Sequence, residues 1–281
     1  MSIFRRVLSI AGIVPAILFC TLPAAAEEGM WTFDSPPLKK LKEKYGFEPT
    51  SKWMDHVRLS SLRFDNGGSG SFISGDGLVM TNHHVAREFI QQISSKEHDY
   101  VVDGFLARTR EDEIKIKNIE LSQLESVENV TARVMKAIEA ATTPEAKVKA
   151  RGEVVARIEK EESEASGLVC NVVPLYAGGQ YVVYRYKKYR DVRMVWAPET
   201  QIAYFGGDPD NFTYPRFCLD VTFMRVYEDG KPLKTKHFLR WNPEGAQDQE
   251  LILVSGNPGT TKRLMTMSQV LYERDQRIPR I

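Results

Sequence analysis

Gly67-Gly68-Ser69-Gly70-Ser71-Phe72-Ile73-Ser74-Gly75-Asp76-Gly77-Leu78-Val79-Met80-Thr81-Asn82-His83-His84-Val85 is the stretch that decides the fold of this chain. At its centre, Gly75-Asp76-Gly77 has the composition of a tight turn that needs positive φ. Leu78-Val79-Met80 follows as a short buried strand ending at Thr81, while Gly68, Gly70 and Ser71 are small enough for backbones to approach closely. The segment therefore predicts strand, turn, strand, and then a histidine held beside a packed edge. Adjacent residues leaving a strand end point in opposite directions, so only one of His83 and His84 is expected to face a cleft. Adjacent histidines lack the i, i+4 helical spacing of a metalloprotease, and His56, His98 and His237 form no ligand pattern. Neither a metal nor another cofactor is expected.

Working outward toward the N-terminus, Arg5 and Arg6 precede an apolar run from Val7 to Leu22, and Ala24-Ala25-Ala26 stand before Glu27. This is the pattern of a secretory signal over residues 1–26, too short in its apolar part for a permanent span. Cys20 lies inside the apolar run and so makes no lipidation site. Export with cleavage after Ala26 predicts a soluble periplasmic protein with no membrane association once the signal is removed. Cleavage would leave Cys170 and Cys218, enough for one disulfide and too few for a disulfide scaffold. With 38 basic and 37 acidic residues the formal net charge is +1, which gives no electrostatic reason to expect nucleic acid as a partner.

Several further elements are legible. Leu38 to Tyr45 reads as a helix stopped by Gly46, and Trp53 to Leu62 as a short helix or strand entry. Ala86 to Ile93 continues from the histidines as a helix. Between about residues 108 and 167 the composition shifts to Glu, Lys, Arg and Ala, with Val127, Val130, Val134 and Ile138, then Val148, Val154, Val155 and Ile158, at helical spacing. This predicts a helical hairpin broken near Thr142-Thr143-Pro144, with Thr143 capping the second helix and Pro144 opening it. A prop for the strand-rich body is the favoured role for this insertion over a partner surface, because a charged outer face is ordinary for a solvated helix. Strand signals return at Leu168 to Leu175, Tyr181 to Lys188, Val192 to Trp196, Val221 to Tyr227 and Leu251 to Val254. Residues 264–281 turn helical again and read as the start of a further helical domain cut short, with residues 27–263 as the main domain.

Carboxylates decide the next step. Asp208 and Asp210 stand among Gly and Pro, where Asp commonly bonds its own backbone, so a turn role is the default. Asp220 is different: it directly precedes the alternating run Val221, Phe223, Arg225. A carboxylate at such a strand start can hold an imidazole Nδ1–H, orient the ring and stabilise imidazolium.

Gly67 to Val85, His98-Asp99-Tyr100 with Asp103-Gly104-Phe105, Asp191-Val192-Arg193 to Ala197-Pro198-Glu199, Phe205 to Arg216 and Gly256-Asn257-Pro258-Gly259 occur in one order, and together the chain resembles the bacterial dipeptidyl-peptidase 7 and 11 family. The resemblance runs over nearly all of the chain after residue 26. It implies a mainly β, chymotrypsin-like double barrel with a helical insertion, here incomplete, in an exported serine peptidase that releases dipeptides. His84 is then the general base, matching the Thr-Ala-Ala-His pattern of trypsin-like barrels, and Asp220 is the orienting acid. Asn211 and Phe212 match the Asn and aromatic residue that hold a peptide's free N-terminus, so peptides with a free amine are the implied partners, and a homodimer is the implied assembly. Gly68 and Val85 stand where some relatives carry Cys, and Phe212 stands where some carry Trp.

No serine in the chain has the Gly-x-Ser-Gly setting of a nucleophile beside paired backbone donors. Ser69 and Ser71 read as small packing residues, and Ser255 as part of a structural segment. The family's nucleophile lies in a C-terminal portion, so the expectation is an N-terminal part that supplies base and acid but is inactive alone. The alternative is a remnant that binds peptides without catalysis; a complete protease using an unorthodox serine is disfavoured.

Overall fold

A computed structural model describes residues 29–207, 213, 215–258 and 265–280. Residues 1–26, Asp208, Asp210, Asn211 and Phe212 lie outside the described residues. Helix α1 (Leu38–Tyr45) ends where Gly46, at φ 64°, returns its N–H to Leu41 and Lys42. Helix α2 (Ser51–Ser60) is capped by the Thr50 hydroxyl, which accepts from the Trp53 amide at 3.1 Å. Strands β1 (Ser61–Phe64), β2 (Ser69–Phe72) and β3 (Leu78–Thr81) follow as the expected hairpins, and helix α3 (His83–Ile93) starts one residue after β3. Helix α4 (Tyr100–Asp103) and strands β4 (Phe105–Leu106), β5 (Ile114–Lys115) and β6 (Leu121–Asn129) come next.

Helices α5 (Thr131–Glu139) and α6 (Pro144–Ser166) form the hairpin, with Thr143 accepting the Ala146 amide and Pro144 opening α6 as the sequence predicts. The helices begin later than the composition suggested. Val127 belongs to β6, whose first four residues are all buried, and Val148 is 60% exposed and off the packing face. Tertiary burial of Leu121 to Leu124 outweighs the i, i+3 spacing that Val127 and Val130 share. Strands β7 (Val169–Leu175), β8 (Gln180–Tyr189) and β9 (Asp191–Ala197), helix α7 (Thr200–Ala203), strands β10 (Thr222–Glu228) and β11 (Lys231–Pro232), and helix α8 (Met267–Tyr272) complete the order. Leu251 to Val254 forms no strand: Ile252 and Val254 are exposed and pair with nothing in the sheet.

The strands make one antiparallel sheet in the order β4-β9-β10-β3-β2-β1-β6-β8-β7. Only Arg190 separates β8 from β9, yet these two strands stand near opposite ends of that path. The sheet therefore curls back on itself. Its concave face holds one core built from Leu62 and Phe64 of β1, Phe72 of β2, Val79 of β3, Leu121 of β6, Val192 and Met194 of β9, and Met224 and Val226 of β10. Each such side chain, fully buried, contributes about 1.5–3 kcal/mol. A second core joins the hairpin to the outer strands through Val134, Ile158, Cys170, Val172 and Val183.

Gly77 and Gly70 show why the central hairpin is rich in glycine. Gly77 adopts φ 68°, and a Cβ there would stand 2.8 Å from the Val226 carbonyl oxygen. At Gly70 a Cβ would meet the Phe64 ring at 2.7 Å. On the outer face, Ser69 accepts the Asn257 amide at 2.7 Å and Ser61 bonds Ser255 at 3.0 Å. These small residues seat the Ser255-Gly256-Asn257 segment across β1 and β2, the packing role expected of Ser69.

Candidate active site

The pairing of β3 with β10 brings the site together. Thr81 stands opposite Thr222, so the residues just after β3 lie beside those just before β10. Asn82 opens α3, and its side chain caps nothing in its own helix. Instead its amide donates to the Asp220 carbonyl oxygen at 3.1 Å and to Asp220 Oδ2 at 3.3 Å. Asp220 Oδ1 accepts the backbone N–H of His84 at 2.9 Å. A carboxylate from the residues just before β10 thus caps the first turn of α3, satisfying an amide that the helix itself leaves free.

Asp220 Oδ2 lies 2.6 Å from His84 Nδ1. A carboxylate only accepts, so Nδ1 carries the proton and donates, which leaves the lone pair on Nε2. The His84 side chain is 68% exposed and that of Asp220 31% exposed, so the ring projects into solvent from the first turn of α3 while its anchor is partly sheltered. The orienting bond and the free nitrogen are the parts a general base needs.

His83 faces the other way, as the argument from adjacent residues requires, although both histidines sit in the first turn of a helix and not at a strand end. It is 2% exposed. Burial holds its imidazole below the ordinary histidine range, reinforced by Arg87 and His84 and opposed by Asp220 and the nearby Pro198 backbone. Sequence reasoning missed Asn82 and the capping role of Asp220. A polar residue in the position just before a helix was the available signal, but its partner lies 138 residues away in sequence.

The segment between β9 and β10 returns to its own root. The Leu219 amide donates to the Ile202 carbonyl at 3.0 Å, and the Cys218 thiol donates to the Ala203 carbonyl at 2.9 Å. Beyond this neck Phe205 and Phe217 are exposed, and the Arg216 guanidinium lies 5.4 Å from the Tyr204 ring centroid. Asn211 and Phe212 belong to the same segment but lie outside the described residues. Cys218 and Cys170 are both free thiols. Gly68 and Val85 are direct neighbours, since a Cβ on Gly68 would stand 2.2 Å from a Val85 methyl group.

Among the described residues no serine or threonine hydroxyl bonds the His84 ring. Ser69, Ser61 and Ser255 are engaged with one another's segments as described above. The described residues also hold no cluster of three or more His, Cys, Asp or Glu arranged for a metal. No helix among them is long and apolar enough to cross a membrane.

Comparison with known proteins agrees with this architecture. The chain is 32% identical over 267 residues to dipeptidyl-peptidase 7 of Capnocytophaga gingivalis, covering 87% of the chain and 37% of that relative. It is 31% identical over 273 residues to the Asp/Glu-specific dipeptidyl-peptidase of Porphyromonas gingivalis, covering 88% and 38%. The crystal structure of Porphyromonas endodontalis DPP11 in complex with the dipeptide Arg-Glu superposes with a TM-score of 0.59 at 28% identity, over 68% of this chain and 30% of that one. The chain thus spans little more than a third of the length of the curated relatives it matches. The model of the Peptidase S46 family matches residues 26–281, and the chain belongs to that family.

Proposed function

We propose that this chain is the base-and-acid portion of an exported serine dipeptidyl-peptidase, with His84 as the general base and Asp220 as the residue that orients it. The observation that carries the reading is the 2.6 Å contact of Asp220 Oδ2 with His84 Nδ1, which leaves Nε2 exposed. In the reaction a serine hydroxyl gives its proton to Nε2 as its Oγ bonds to the carbonyl carbon after the second residue of a peptide. His84 then returns the proton to the leaving amine, and Asp220 stabilises the imidazolium between these steps. The nucleophile is assigned outside these residues, because no described hydroxyl bonds the ring.

The curled sheet is read as the first barrel of a chymotrypsin-like peptidase, supported by the near-continuity of β8 with β9 and by the larger core that Tyr189 of β8 shares with Val192 and Met194 of β9. Asn211 and Phe212 are read as the residues that hold the substrate's free amine. Clamping that amine at a fixed distance from the base measures off two residues and makes the product a dipeptide. Peptide substrates fit the DPP11 relatives, which are described in complex with Arg-Glu and Arg-Asp dipeptides. A homodimer and periplasmic location after removal of residues 1–26 complete the proposal.

The test is dipeptide release from fluorogenic dipeptidyl substrates by the purified chain, by full-length protein containing it, and by full-length protein carrying His84→Ala. The reading predicts silence from the isolated chain, activity from the full-length protein, and loss of at least about 10³-fold in the variant. Activity from the isolated chain would mean a nucleophile lies within it. Silence from the full-length protein would favour a peptide-binding remnant.

A further inference from the structure

Asn82 stands in the position before a helix where an Asn side chain ordinarily accepts an amide of its own first turn. It makes no such bond. Its side chain reaches instead to Asp220, where the nitrogen lies 3.1 Å from the backbone carbonyl oxygen and 3.3 Å from Oδ2. Both of these oxygens only accept, so the group that faces them is the amide nitrogen and not the amide oxygen. Asn82 thus leaves the cap of α3 to Asp220 Oδ1, which accepts the His84 amide at 2.9 Å.

Asp220 needs a hold from outside its own strand. The ladder between β3 and β10 begins where Thr81 pairs with Thr222, so Asp220 stands two residues beyond it and no strand pairing fixes its backbone. Its carboxylate also turns about side-chain bonds, and it meets the exposed His84 ring only while Oδ2 points at Nδ1. Three donors share the two oxygens: the His84 amide takes Oδ1, while the His84 ring and Asn82 both take Oδ2. Because Asn82 also bonds the Asp220 carbonyl, one side chain fixes both the backbone and the orientation of the acid. Asn82 and His84 stand together at the start of α3, so amide, acid and base close into one ring of contacts.

We propose that Asn82 is a positioning residue, which holds the Asp220 carboxylate in the orientation where Oδ2 meets His84 Nδ1 and acts on proton transfer through Asp220 alone. The inference rests on the peptidase reading for its kinetic consequence but not for the hold on Asp220. An acid held in this way keeps the proton on Nδ1 and the lone pair on Nε2, so the effect of Asn82 belongs in kcat and not in substrate binding.

The experiment uses Asn82→Ser in the full-length protein. Serine suits the position before a helix as well as asparagine does, so α3 keeps a capping residue, but the hydroxyl ends one bond short of where the amide nitrogen stood. The expected result is kcat for dipeptide release lower by about fivefold with KM within about twofold. In an Asp220→Asn background the same substitution should lower kcat by less than about twofold, because the carboxylate that Asn82 holds is already gone. With the histidines isotopically labelled, the Nδ1 proton of His84, assigned by its absence in His84→Ala, should give a low-field magnetic resonance signal that Asn82→Ser broadens or removes by admitting exchange with water. An unchanged kcat, a raised KM in place of the lowered kcat, a full further loss in the Asp220→Asn background, or an unchanged signal in Asn82→Ser would each overturn the proposal. If the wild-type protein releases no dipeptide, the peptidase reading fails, while the signal still decides whether Asn82 holds Asp220.

Discussion

His83 and His84 are one peptide bond apart and chemically opposed. The carboxylate of Asp220 accepts from the second, and its ring stands in solvent with a free lone pair; the first is sealed in the protein, where a charge would lose its water. Burial lowers the proton affinity of His83, and of His237 as well, where the neighbouring His56 at 3.2 Å and Arg58 add to the effect against Asp55 and Glu125. The unfolded chain therefore takes up protons at these two positions before the folded one does. Stability is then lost as pH falls through the ordinary histidine value near 6.5 and stops falling below the depressed folded values. The urea midpoint should be lower at about pH 5.5 than at about pH 7.5, and His237→Gln should flatten that slope. A midpoint independent of pH across this window would contradict the burial argument.

At the scale of the element, the hairpin of β2 and β3 is the part that leaves least freedom. Gly77 sits at φ 68° with the Val226 oxygen 2.8 Å from where a Cβ would stand. Gly77→Ala should therefore cost more than about 1 kcal/mol in urea unfolding, through strain in the turn and displacement of β10. A neutral substitution would mean that the turn can adopt another conformation. This hairpin was legible because glycine, β-branched and aromatic residues declare their backbone preferences locally, and the cap at Thr143 with Pro144 was legible for the same reason. The boundary of the helical insertion was not. Val127 fits a helical period and a strand equally well, and what decides is its pairing with Tyr184 on β8, 57 residues away. Leu251 to Val254 has strand composition but no neighbour in the sheet, and composition alone cannot supply one.

For the whole molecule, the curl of the sheet converts distant sequence into one site. Thr81 pairs with Thr222, and that single register sets Asp220 beside Asn82 and His84. Asp220 was readable from sequence as a carboxylate at a strand start, but its grip on the helix amide was not, because nothing local to either residue reveals the pairing. The measurement that tests the account most directly is kcat for dipeptide release by the full-length protein carrying Asp220→Asn. An amide nitrogen can donate where the carboxylate only accepted, which favours the wrong imidazole tautomer while leaving the shape of the site in place. The account predicts kcat lower by about 10⁴-fold with KM within about twofold. A variant that keeps its kcat would show that Asp220 does no more than cap a helix, and that the base lies elsewhere.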